Sequence, residues 1–93
     1  MAKRKEYPIV EVISHDAEEF GEVGWNDIKG VLAHAKVPCP EMHTVGYCVY
    51  KDKNHISILS TIGPKECSTL EKIPMSMVQN VRVIKEVVKD ANV

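Results

Sequence analysis

Aromatic side chains are scarce in this chain: its 93 residues include one Trp, one Phe and three Tyr, 5% in all. A core of packed rings is excluded, and the 44% hydrophobic content must pack through aliphatic side chains. Cysteine is equally thin. Three cysteines, an odd number without framework spacing, exclude a disulfide scaffold and fit reduced thiols in a reducing compartment. No apolar run approaches the ~20 residues of a membrane-spanning helix, and Lys3, Arg4 and Lys5 lack the apolar stretch of a secretory leader behind them. A cytoplasmic protein with no membrane partner is therefore expected. Neither sign of charge is in excess, with 12 Lys and Arg against 13 Asp and Glu. That balance argues against a generic nucleic-acid coat and leaves room for a local basic patch.

What is present points to one small globular domain. The 27% charged content is ordinary for folded proteins, and a chain of this size buries roughly 60–65% of its unfolded surface. We expect a flexible basic tail over residues 1–6 and a single β-rich domain over 7–93. Thr44 to Thr61 reads as a hairpin. Val45, Tyr47 and Val49 alternate with Thr44, Gly46 and Cys48 at the two-residue period of a half-buried strand. Ile56 and Ile58 do the same beyond the turn Lys51-Asp52-Lys53-Asn54, where Asn54 suits a left-handed conformation.

The other elements follow from local chemistry. Tyr7 to Ile13 reads as a first strand, with Pro8 confined to its start or to an edge. Ala17 to Gly24 is an acidic loop. Asn26 or Asp27 then caps a helix whose apolar residues Ile28, Val31, Leu32 and Ala35 recur at helical spacing until Pro38 and Pro40 end it. Trp25, just before the cap, is placed at the edge of the core, or stacked on a ligand. Beyond Gly63 two readings of the last segment compete. Either Pro74 to Gln79 is a helical turn before a closing strand with Val81 and Val83 inward, or Met77, Val81, Ile84 and Val88 form a helical stripe. The β-branched density of Val81-Arg82-Val83-Ile84 favours the strand.

Thr44-Val45-Gly46-Tyr47, a charged turn, an aliphatic strand ending in Ser60-Thr61-Ile62-Gly63, and Ile73-Pro74-Met75-Ser76-Met77-Val78 together resemble short uncharacterised proteins of tailed phages and prophages. The resemblance covers residues 44–84 and a Trp-led segment near Trp25. It implies a small protein that binds a host protein or sequesters a nucleotide defence signal, as an oligomer, and it carries over no binding residue. The order of elements is also similar to Sm-like small barrels, which form RNA-binding rings, although here a strand rather than a helix comes first. The expected fold is mostly β (α+β): a small, strongly bent antiparallel sheet or Sm-like barrel of four or five strands with one short helix.

Chemistry-bearing constellations are sparse. Ser14-His15-Asp16 has the residue types of a triad, but sequence neighbours on a strand point in different directions. Cys39 and His43 form one Cys-x-x-x-His pair where structural zinc sites show two pairs. No Gly-rich phosphate loop is present. Neither catalytic residues, nor a metal, nor a cofactor are assigned, and the protein is read as non-enzymatic. Binding of an anionic, base-containing ligand is the specific option: Trp25 and Tyr50 could stack on a base while Lys51, Lys53, His55 and Arg82 meet phosphate. The leading expectation is thus a phage-type homo-oligomer that sequesters a phosphodiester or nucleotide between subunits. A host-protein-binding inhibitor or adaptor, and an Sm-like ring binding short RNA, are the alternatives.

Overall fold

In the computed structural model, which describes residues 6–87, five antiparallel strands form one open sheet with one short helix, a small α+β fold. The strands are β1 (Ile9–His15), β2 (Glu41–Lys51), β3 (His55–Leu59), β4 (Glu71–Pro74) and β5 (Val78–Lys85), in the spatial order β4-β3-β2-β1-β5. Helix α1 (Ile28–His34) lies between β1 and β2, and a single 3-10 turn, Met75–Met77, joins β4 to β5. All but residue 6 of the expected tail lie outside the described residues.

The connection between β4 and β5 dictates the shape of the sheet. These strands occupy opposite edges, which in a flat five-stranded sheet would stand about 19 Å apart, four spacings of about 4.8 Å. Yet Pro74 and Val78 are separated by four Cα steps, which reach about 15 Å fully extended and about 8 Å in 3-10 form. The sheet must therefore curl until its edges approach one another. The expected strong bend is present, and the last segment is a helical turn followed by a strand. Val81 packs against the core as predicted, while Val83 is exposed.

The curl encloses the core. Val10, Val12, Ile56, Ile58 and Ile73 form one buried cluster, and Cys48, Met75, Val78 and Val81 close around it. Among the described residues every buried hydrophobic side chain is aliphatic, in keeping with the shortage of aromatics. The faces of β2 differ from the alternation read in the sequence. Gly46 and Thr44 oppose Val10 and Val12, and opposed residues share a face, so the small residues face the core and Val45 is exposed. Gly46 explains the inversion. A Cβ there would lie 2.5 Å from Ile58 Cγ2 and 2.7 Å from the Leu59 carbonyl oxygen, so β2 crosses the bend where only glycine leaves room.

A register shift between Cys48 and Tyr50 leaves Val49 without a partner. This bulge puts Tyr50, opposite Ser57, on the face of Tyr47, opposite Leu59, although their spacing of three would place them on opposite faces of a regular strand. In β3, Ile56 to Leu59 are all buried, because the strand sits inside the sheet and is covered on both faces. The core is small enough for one residue to matter. Ile56→Ala, which removes a side chain of zero exposure, is expected to destabilise the domain by about 2–5 kcal/mol, read as an earlier midpoint in urea unfolding.

Candidate functional site

Three surfaces bring reactive or unpartnered side chains together: the β2–β3 hairpin tip, a charged row across the sheet, and the long β1–β2 connection.

At the tip, Asp52 organises the turn. Its Oδ1 accepts hydrogen bonds from the backbone amides of Asn54 (2.7 Å) and His55 (2.9 Å), and its Oδ2 accepts one from the Tyr50 hydroxyl at 2.9 Å. Asn54 was expected in the left-handed region, but no described non-glycine residue has positive φ. The carboxylate cap does the work instead, by satisfying the amides that a left-handed residue would reorient. These bonds, from His55, Asn54 and Tyr50 in order of importance, hold the Asp52 carboxyl below its usual range, and the same carboxylate pushes the Tyr50 hydroxyl up. Tyr50 also stacks on His55, with ring centroids 5.3 Å apart. Lys51 and Lys53 are exposed beside them.

Four of the six sequence-selected binding residues, Tyr50, Lys51, Lys53 and His55, thus gather at one tip. The other two do not join them. Arg82 lies on β5, where its Nε and Nη2 contact Glu11 Oε1 at 3.2 and 3.1 Å. Trp25 leaves the sheet at the opposite end of β2. It does not cover the core edge as expected, being fully exposed at 102%, because the connection that carries it projects from the sheet.

Glu11 is the hub of a charged row that sequence reading missed. Besides Arg82, its other oxygen reaches His43 Nδ1 at 3.4 Å, while His43 Nε2 meets Glu41 Oε1 at 2.9 Å. The row spans β5, β1 and β2, and Arg82, Glu11 and Val45 share one level of the ladder. No sequence signal marks it, because the pairing depends on strand register. The carboxylates of Glu11 and Glu41 raise the His43 pKa from 6.5. Nuclear magnetic resonance titration should therefore find His43 with a midpoint above 6.5, moving down in Glu11→Gln. Since the folded value is the raised one, the stabilisation is complete below the unfolded pKa and disappears as pH rises through the folded one.

The β1–β2 connection, residues 16–40, is a structured arm. Its two ends meet, since the Asp16 amide donates to the Pro40 carbonyl at 3.0 Å. Within it Gly21 and Gly24 take φ near +111° and +109°, allowing Asn26 to bracket the loop. The Asn26 Oδ1 accepts from the Glu22 amide and its Nδ2 donates to the Glu22 carbonyl, both at 2.9 Å. Asp27, one of the two caps the sequence offers, caps α1 by accepting from the Gly30 amide at 3.0 Å. The Phe20 ring stacks on His34 with centroids 3.9 Å apart, and His34 Nε2 bonds Glu18 Oε1 at 2.8 Å. Between loop and helix lies an open cleft of about 240 Å³, floored by Phe20, Val31, Ala35 and Val37 and rimmed by Glu18, His34 and Cys39.

What the arm lacks is a covering. Phe20, Val23, Trp25, Ile28, Leu32 and Val37 are each more than half exposed, and α1 buries no residue. Gly30 therefore serves no close packing on the sheet. The two members of the Cys-x-x-x-His pair are separated in role, Cys39 on the cleft rim and His43 in the charged row. Among the described residues, no group of three or more His, Cys, Asp or Glu is arranged to hold a metal ion, and no helix is long and apolar enough to cross a membrane. Comparison with known proteins adds no relative: no family model matches the chain, and neither a curated protein nor a solved structure matches it.

Proposed function

We propose that this protein is a non-enzymatic interaction module of the phage-type class, an inhibitor or adaptor that docks its β1–β2 arm onto a host protein. The observation that carries this reading is the apolar surface of the arm. Six large hydrophobic side chains stand exposed on one 25-residue connection, held in place by the Asn26 bracket, the Asp27 cap and the Phe20–His34 stack. Isolated exposed apolar residues need no explanation, but a cluster on an ordered projection marks a binding surface. Preordering also lowers the entropy lost on association. The test is a pull-down from host lysate with the wild-type chain and with Trp25→Ser/Leu32→Ser. A partner retained by the first and lost by the second is expected. Identical proteins recovered with both would overturn the reading.

Sequestration of a phosphodiester is the second reading, favoured by the Tyr50–His55 stack beside Lys51 and Lys53. It ranks lower because Asp52, held ionised between the two lysines, would repel phosphate. Its measure is heat-stabilisation by cyclic dinucleotides together with native mass spectrometry for an oligomer carrying extra mass. An Sm-like RNA ring would instead show affinity that falls steeply with salt.

A further inference from the structure

The charge distribution of the arm specifies what it can bury against. Residues 16–27 carry five carboxylates, Asp16, Glu18, Glu19, Glu22 and Asp27, and no Lys or Arg. They alternate with Phe20, Val23 and Trp25. Two of the five are engaged internally, Glu18 with His34 and Asp27 with the Gly30 amide, and Asp16 accepts from the neighbouring Ala17 amide. The side chains of Glu19 and Glu22 are exposed. Glu19 adjoins Phe20 in the chain and Glu22 adjoins Val23, so an occupant of this surface meets negative charge, and a carboxylate left unpaired at an interface is strongly unfavourable.

We infer that the arm receives a basic amphipathic helix of another protein, whose aliphatic side chains enter the Phe20–Val31–Val37 cleft while its Lys and Arg meet Glu19, Glu22 and Asp16. This rests on the reading of the arm as a docking surface and adds the chemistry of what docks. Cleft size fits that occupant. At about 240 Å³ it lies below the roughly 300–1,000 Å³ of small-molecule sites and gives room for one or two aliphatic side chains. An amphipathic helix presents such side chains at i, i+3 and i+4 on one face, with its cations flanking them. A second copy's arm is a poor occupant, because it would bring the same five carboxylates against this set with only Lys29 and Lys36 to answer them.

The probe is a synthetic amphipathic peptide of about eighteen residues, five helical turns, built from Leu and Lys, beside an analogue in which Glu replaces every Lys. Each is titrated into the full-length chain by calorimetry, with emission of Trp25, the single Trp, as a parallel record. The Lys peptide should bind and the Glu peptide should not. Binding should fall about tenfold or more in Glu19→Lys/Glu22→Lys and with added salt, which screens exposed pairs, and should also weaken in Val37→Ser. Both variants alter exposed side chains, and circular dichroism confirms that they fold. Equal binding of both peptides would overturn the cationic specificity and leave the docking surface standing. Failure of both peptides to bind would overturn the docking surface with it.

Discussion

Gly46→Ala is expected to lower the melting temperature by about 8–24 °C, while Gly30→Ala, the same chemical change sixteen positions away, should raise it slightly. At position 46 the new methyl falls 2.5 Å from Ile58 Cγ2 and 2.7 Å from the Leu59 carbonyl oxygen. The second contact is with backbone, so rotamer adjustment cannot relieve it and β2 must move away from β3 at the bend. Overpacking of this kind typically destabilises by about 1–3 kcal/mol, and the backbone contact argues for the upper part, about 2–3 kcal/mol. A domain this size shifts its midpoint by about 4–8 °C per kcal/mol. Against a total stability of roughly 5–14 kcal/mol, Gly46→Val should leave little folded protein.

At Gly30, by contrast, the nearest atom to a new Cβ is Asp27 Oδ2 at 3.5 Å, an ordinary contact, and Ala is favoured over Gly in a helix interior by about 1 kcal/mol. The pair separates the two roles of glycine by thermal unfolding alone. Equal effects at the two positions would refute the close approach of β2 to β3.

How far the fold was legible in the sequence depends on whether the deciding interaction is local. The helix after Asn26 or Asp27 and the hairpin rest on short-range chemistry, and the sequence shows them; the last segment stayed open between strand and helix, with only its β-branched density favouring the strand. The faces of β2 were read in reverse, because alternation reports only that two faces differ. Which face is inward depends on Ile58 and Leu59 crowding Gly46 across the sheet. The Val49 bulge moved Tyr50 to the other face for the same reason: a one-residue irregularity leaves no mark in composition. For the candidate site, grouping Tyr50, Lys51, Lys53 and His55 needed only the turn between them. Joining Arg82 to Glu11, 71 positions away, needed strand order. The arm lay in plain view as five acids interleaved with aromatics before a capped helix. Its exposure was not legible, since the apolar spacing of Ile28, Val31, Leu32 and Ala35 would look the same had α1 packed on the sheet.

Removing the arm should leave the fold intact and abolish binding. The sheet does not need residues 17–39: β1 and β2 pair continuously from Ile9↔Tyr47 to His15↔Glu41, and one further backbone bond, Asp16 to Pro40 at 3.0 Å, brings the cut ends together. None of the core residues lies in the excised stretch. An Asn-Gly pair joining Asp16 to position 40, with Pro40→Thr to supply the N–H that closes the turn, gives the two-residue turn that suits a right-twisted hairpin, and closing a shorter loop lowers the entropy of ordering the chain. The shortened protein should therefore melt within a few degrees of the full chain, or above it, and keep the β-rich circular dichroism of the sheet. In the same preparation, affinity for the Lys-bearing helix and for a host partner should fall to background. Such a separation assigns stability to the curled sheet and recognition to the arm. Unfolding on excision would show that the arm supports the sheet, and undiminished binding would move the recognition surface to the sheet itself.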